Sequence, residues 1–484
     1  MIWKQFYSRF LGRIALYIVF LFCLVAIYAP FLAASKPFVV QYDGTWYFPL
    51  FRYLCFKGYY TKGLDIFFNL LIFTAPLTAF FIYLSRNNLR AILKVIISFI
   101  ILQLSLFLFF LYGPITDPAS NRQLNKERQE ALVSHPLPDW NFDLQYMTDY
   151  AKLNLILNYQ QRLIQQKKLE KYLGDTHLST LWQQAKDNEN KELVRFKKIL
   201  DSTPESSIEH QEAKAFSDYI VQKRQWIEKE ILKLHHEIMP LIRPFHWEDD
   251  AGGNQSLNSK VHFLELTRIN RGDFIAALIF GVRISLVVGI LAVMLSLLIG
   301  LPIGALAGFY GGTFDIIVSR LLEVWEAMPT FFILLMVVAL MESKSIFLVI
   351  AVIGLFSWTS FSRYLRGEFF KQRNLPYIEA CRALGFNDSR IIFSHILPNA
   401  IPPVLTLLPF AIMGAITSEA GLSFLGLGEE GSCSWGVLMD EGRLGFPNAS
   451  YLLWPPAILL TILLVAIALI GDALRDALDP KMKI

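Results

Sequence analysis

The chain has 484 residues, 54% of them hydrophobic, 14% aromatic and 18% charged. A soluble protein carries about 25% charged residues, so this balance excludes an ordinary water-soluble enzyme and points to a membrane protein. The net charge of +4, from 45 basic and 41 acidic residues, leaves no electrostatic footprint for nucleic acid.

A hydrocarbon core about 30 Å thick needs about 20 apolar residues in a helix. Runs of that kind lie at 14–34, 66–84, 92–112, 284–308, 321–341, 345–362, 401–426 and 452–471, so the fold class is all-α and polytopic, with about eight transmembrane helices. Lys4, Arg9 and Arg13 precede the first run, which is longer than the apolar region of a signal peptide and reads as an uncleaved anchor. Directly after it comes the aromatic segment 36–50, KPFVVQYDGTWYFPL. Its Trp46 and Tyr47 suit either a membrane interface or contact with a solute or receptor.

Residues 114–265 hold 20 basic and 23 acidic residues, half of the chain's charge in under a third of its length. Leu153, Leu157, Leu163 and Leu169 stand near helical spacing, and Phe216, Ile220, Ile227, Ile231 and Leu234 form a second stripe over 212–238. A polar turn around Ser202, Pro204, Ser206 and Ser207 would fold such helices into an antiparallel pair, whose stripes pack on each other or dock a partner. His235 and His236 adjoin and would point to different helix faces. His246 beside Glu248, Asp249 and Asp250 reads as a solvated acidic turn, and the widely separated Cys23, Cys55, Cys381 and Cys433 suggest neither a metal site nor a disulfide framework. The domains expected are therefore 1–113, 114–265 and 266–484.

Basic residues gather in the N-terminal tail, at Arg86, Arg90 and Lys94, over 363–395, and at Arg475, Lys481 and Lys483. The connection 427–451 instead carries Glu429, Glu430, Asp440 and Glu441 against Arg443. With all eight runs spanning, this asymmetry places both termini in the cytoplasm and the insert 114–265 outside.

Within the basic segment stands YIEACRALGFNDSRIIFSHILPNAIPP, residues 377–403. Glu379 to Leu384 reads as a short helix, Gly385 as its positive-φ stop, Asn387 or Asp388 as the cap of a second helix, and Pro398 as a break before the next span. Nothing in this helix-turn-helix does chemistry; it is shaped to be gripped by a soluble partner. Glu419, inside an apolar run, either lines a path with Ser418 and Arg283 nearby, pairs with Arg283 or Arg363 to fix packing, or is protonated and simply packed. Gly300, Gly304 and Gly308 recur every four residues and let a neighbouring helix approach.

The pattern Glu379-Ala380-x-x-Ala383-Leu384-Gly385, with Leu397-Pro398 eleven positions on, resembles the EAA loop of ABC-importer permeases. YGGTFD (310–315), MPTFF (328–332), SEAGLSFLGLG (418–428), SWG (434–436) and GDALRDALDP (471–480) resemble, in order, the C-type permease subunits of oligopeptide, dipeptide and nickel importers. The segment 36–50 resembles the Yej-type branch, associated with oligopeptides and microcin C. Two departures stand out. RINRGDF (268–274) replaces the GTDxxGRD pattern usual there, and the family does not ordinarily carry the spans at 66–84 and 92–112 or so long an insert.

The resemblance implies a non-catalytic permease subunit that forms, with a sister permease, the translocation path for oligopeptides or peptide-like solutes across the bacterial inner membrane. Two ATP-binding subunits or domains below and an extracytoplasmic solute-binding protein above complete such a machine. No GxxxxGK[ST] occurs in the sequence, so ATP and Mg are expected on the partner subunits and no cofactor on this chain. Glu379, Ala380, Ala383, Gly385, Leu397 and Pro398 are the residues expected to couple to the ATPase. The insert is expected to fold over the outer mouth and shape receptor docking. The rival readings are an ion-coupled carrier, which leaves the loop 377–403 without a role, and a membrane enzyme with an outer domain at 114–265, which lacks a clustered nucleophile and base.

Overall fold

The computed structural model describes residues 2–34, 36–55, 63–86, 88–113, 119–160, 191–242, 274–341, 345–429, 432–447 and 452–478. Among them seven helices are long and apolar enough to span a bilayer: Phe10–Leu32, Gly63–Leu84, Arg90–Tyr112, Phe274–Tyr310, Ile346–Gln372, Leu408–Leu427 and Trp454–Leu478. The straight span expected at 321–341 is instead two helices, Gly312–Ala327 and Thr330–Leu340, bent by 76° at Met328-Pro329. Proline lacks an N–H and pushes the residue before it to extended geometry, so the helix stops at Ala327. Counted as one broken span, the pair brings the number to eight. The chain divides into two compact units, one of residues 1–26 with 280–484 and one of residues 27–279.

In the first unit the helix Phe274–Tyr310 lies directly on Trp358–Gln372. A Cβ added at Gly300, Gly304 or Gly308 would meet Trp358 O at 2.6 Å, Ser362 O at 2.4 Å or Phe369 Cβ at 2.5 Å. The glycine stripe is thus a backbone-to-backbone crossing. Gly311 and Gly312, both at positive φ, end this long helix. Asp315, one turn into the next helix, takes both Nε and Nη2 of Arg366, the latter at 2.9 Å. The N-terminal helix packs on the end of the last one: Phe6, Ala473 and Ala477 cluster, and Arg9 pairs with Asp476 at 3.1 Å. Both helix ends therefore leave the span bundle on the same side. Asp479 lies outside the described residues.

In the second unit the spans Gly63–Leu84 and Arg90–Tyr112 form a hairpin glued by polar groups. Gln103 accepts from Thr74 Oγ1 at 2.7 Å and donates to Phe67 O at 2.8 Å, while Asn88 caps the second helix. Most of their large apolar side chains stay exposed, as lipid-facing surface should.

One element runs against the all-α expectation locally. A three-stranded antiparallel sheet has the order β2-β1-β3, with β1 Val39–Tyr42, β2 Thr45–Tyr47 and β3 Leu234–Ile238. Asp43 and Gly44 take φ of 49° and 78° in the two-residue turn between β1 and β2, the left-handed pair that a tight hairpin requires. The helix expected over 212–238 therefore ends at Ile231, and Leu234, His235 and His236 stand on a strand. Leu234 still packs inward, with Trp226 and Ile231, against Val40, Tyr42, Leu153, Ile156 and Leu157.

Helices Lys191–Ser202 and Ile208–Ile231 fold back on each other about the Ser202–Ser207 turn, with Phe196 stacked on Phe216 at 5.4 Å. Leu163, Leu169, the His246 cluster and most of the 268–274 motif lie outside the described residues.

Candidate functional site

The loop between the spans Ile346–Gln372 and Leu408–Leu427 is built from local rules. Pro376 sits in the first turn of the helix Pro376–Ala383, where its missing N–H costs nothing. Gly385 stops the helix at φ 72°, with Phe386 N–H donating to Cys381 O at 3.1 Å and Gly385 N–H to Arg382 O at 2.9 Å. These are the two bonds of a Schellman stop. Asn387 then caps the next helix, its Oδ1 accepting from Arg390 N–H at 3.0 Å. The helix-turn-helix expected from the sequence is present.

Pro398 does not break the chain. Asp388–Arg390, a π-helical stretch Ile391–Ile396 and Leu397–Leu405 follow without interruption, and Leu397 N–H reaches five residues back to Ile392 O. The wider turn lets the helix pass the residue that cannot donate, and the chain turns instead at Thr406-Leu407. The expected span 401–426 accordingly begins at Leu408.

This arrangement sorts the loop into a buried and an open face. Ile378, Cys381, Ile391, Ile392, Ile396 and Ala400 are buried, whereas Glu379, Ala380, Ala383, Leu384, Gly385 and Pro398 are exposed and Leu397 is half-buried. Glu379 makes no ion pair among the described residues; Arg382, one turn on, sits over the Phe309 ring at 5.8 Å. Nothing lies within 4 Å of a Cβ built on Gly385, so that position faces open space. Phe386 is clamped between Arg390, 4.2 Å from its ring centre, and His395, stacked at 5.6 Å. Spacing alone gave no sign of this clamp, which depends on the Schellman turn folding Phe386 back over the second helix.

The helix Leu397–Leu405 packs against Trp358–Gln372, which itself lies on the Gly300–Gly308 crossing.

Glu419 is 1% exposed, and its Oε1 accepts from Ser423 Oγ at 2.7 Å and Ser434 Oγ at 2.6 Å. Neither suggested arginine partner is used. Arg363 pairs with Glu326, and the buried Arg283 donates to Ala26 O at 2.7 Å and lies over the Phe280 ring. Ser418 is half-buried beside Glu419. Ser434 is also the cap of the helix Trp435–Leu444, accepting from Gly436 N–H at 3.2 Å. A Cβ on Gly436 would meet Ala420 O at 2.6 Å, and one on Gly281 would meet Cys433 O at 2.6 Å. Glu419 therefore clasps a short helix to the span that carries it. The second serine was hidden because it is 15 residues away across a non-helical turn.

Comparison with known proteins follows this geometry. The family model described as the binding-protein-dependent transport system inner membrane component matches residues 300–484, wholly within the unit of residues 1–26 and 280–484. The chain is 38% identical over 210 residues to the peptidoglycan transport system permease protein YejE of Agrobacterium fabrum, covering 43% of this chain and 55% of that one. It is 39% identical over 215 residues to the inner membrane ABC transporter permease protein YejE of Escherichia coli, covering 44% and 62%. Against the oligopeptide transport system permease protein OppC of Haemophilus influenzae it is 35% identical over 248 residues, covering 50% and 79%. The chain thus spans a little over half the length of the two YejE relatives. The resemblance read from the motifs, Yej-like and C-type, is the one these relatives carry, and the multi-pass helical architecture agrees with it. This chain belongs to the family of binding-protein-dependent transport system inner membrane components.

Proposed function

We propose that this chain is the permease subunit of an ATP-driven importer of oligopeptides or peptide-like solutes, forming the path with a sister permease. In this reading two ATP-binding subunits or domains hold ATP and Mg, a solute-binding protein delivers the cargo, and this chain performs no catalysis. The observation that carries it is the loop 376–405, whose buried face is rooted in the spans while Glu379, Ala380, Ala383 and Gly385 stand open. Small residues at 380, 383 and 385 admit a partner's backbone, and the unpaired Glu379 carboxylate can accept its hydrogen bonds. The printed names of the relatives, peptidoglycan and oligopeptide permeases, support a peptide-containing cargo.

Orientation follows from parity. For the basic loop 363–395 to share the cytoplasm with both termini, the bent pair Gly312–Ala327 and Thr330–Leu340 must cross the bilayer as one span. The test of the function is Gly385→Glu. It is expected to abolish ATP-driven peptide uptake and the co-purification of Walker-motif subunits while the protein stays in the membrane. Normal uptake with this variant would overturn the proposal.

A further inference from the structure

The sheet is rooted at the end of the first span. Ile242 N–H donates to Leu32 O at 2.9 Å, Ala34 N–H to Ile242 O at 3.2 Å and Phe38 N–H to Ile238 O at 2.8 Å. Residues 238–242, more than 200 positions from the span in sequence, are thereby held at the C-terminal end of the helix Phe10–Leu32. Phe51 is fixed there too, its ring 5.7 Å from that of Phe31 in the span's last turn.

What this foot presents to its surroundings is apolar. Leu241 is 86% exposed, and Phe48, Phe51 and Ile238 are each about half exposed. On a unit bathed only in water such a patch would leave several large apolar side chains hydrated, which the hydrophobic effect disfavours. Two cations flank it. Lys36 lies over the Tyr53 ring at 5.1 Å, four residues past the span, and Arg52 lies over Tyr150 at 4.3 Å. Apolar and aromatic side chains with lysine and arginine at their rim match the chemistry of the headgroup layer, where chains and phosphates meet.

We infer that Phe48, Phe51, Ile238 and Leu241, with Lys36 and Arg52, form a foot that rests in the phospholipid headgroup layer and seats the insert on the membrane surface. The occupant is lipid, because the patch is continuous with a spanning helix and hydrogen-bonded to its last turn. The exposed Arg52 faces lipid phosphate and the four apolar side chains reach the glycerol and upper acyl carbons, while Lys36, donating to Asn154 Oδ1 at 3.0 Å and Asn158 Oδ1 at 3.3 Å, ties the foot to the insert. The insert is then a surface-seated body, held to the bilayer by its sheet as well as by the spans at 63–84 and 90–112.

The test is photocrosslinking of the full chain in its native membranes, with p-benzoylphenylalanine replacing Leu241 or Phe51 in turn. Phe109, exposed on the span Arg90–Tyr112, is the lipid-facing reference. The foot predicts phospholipid adducts at 241 and 51 in yields within threefold of position 109, attached at glycerol or upper acyl carbons. Adduct yields more than threefold below that reference, or crosslinks to another polypeptide in place of lipid, would overturn it. Both replaced side chains are exposed, and the variants are read only after they sediment with the membrane as the wild type does.

Discussion

The crossing of the helices Phe274–Tyr310 and Trp358–Gln372 leaves no room for a single added methyl group. In Gly304→Ala the new Cβ would stand 2.4 Å from Ser362 O and 2.9 Å from Ser362 Cα, whereas ordinary contact begins near 3.4 Å. Backbone atoms cannot swing aside, so the two helices must part by about 1 Å at this point. Gly300 and Gly308 are locked in the same way; from one to the other the crossing runs about 12 Å at 1.5 Å per residue. Overpacking of this kind costs about 1–3 kcal/mol. Gly367→Ala on the opposing helix Trp358–Gln372 is the matched comparison, because nothing lies within 4 Å of its added Cβ. An alanine there is expected to gain up to about 1 kcal/mol of helix stability. Thermal unfolding of the purified proteins in one detergent, followed by loss of monodisperse protein, should rank Gly367→Ala at or above wild type and Gly304→Ala well below it. Equal stability of the two alanine variants would refute the crossing.

Three further outcomes follow from other sites. Burial pushes the Glu230 carboxyl up, but hydrogen bonds from Lys233 Nζ and Tyr42 Oη, both 2.8 Å, outweigh it and hold the group below its usual range. A folded-state pKa that is depressed stabilises above the unfolded value, about 4.3 for glutamate, and that stability is lost as pH falls through the folded value. The melting advantage of wild type over Glu230→Gln should therefore be present at pH 7 and shrink below about pH 4; an advantage independent of pH would count against the pairing. At the clasp, Glu419→Gln keeps an acceptor for Ser423 and Ser434, whereas Glu419→Leu strands two buried hydroxyls at about 1–3 kcal/mol each. Thermal unfolding should separate the two variants clearly, and identical midpoints would refute the clasp. Finally, a thiol in Leu384→Cys should react with a membrane-impermeant maleimide in inverted vesicles and not in intact spheroplasts. The reverse pattern would show that the bent pair at 312–340 does not cross the membrane.

Much of this was legible in the residues because the rules involved are local. A helix rises 1.5 Å per residue and must hide its backbone from lipid, so span length is written as runs of apolar residues. The loop 377–403 was equally readable, since a glycine stop and an asparagine cap act within one turn. The repeat of Gly300, Gly304 and Gly308 announced a close crossing without naming the helix on the other side.

The tertiary structure decided what depends on partners distant in sequence. Asp43-Gly44 is a hairpin signal, yet β1 becomes a sheet only because residues 234–238 return to it, and that pairing ends a helix whose apolar stripe ran on to Leu234. The apolar run 321–341 read as one span, and only the structure showed it broken at Met328-Pro329 with a bend of 76°. Pro398 looked like a terminator until the π-turn upstream absorbed its missing hydrogen bond. Glu419 was recognisable as a costly intramembrane carboxylate, while its choice of two serines over two arginines rests on glycines that bring Ser434 within 2.6 Å. Helix length and turn chemistry are encoded within a few residues, whereas pairing, bending and charge satisfaction depend on which segments meet in space.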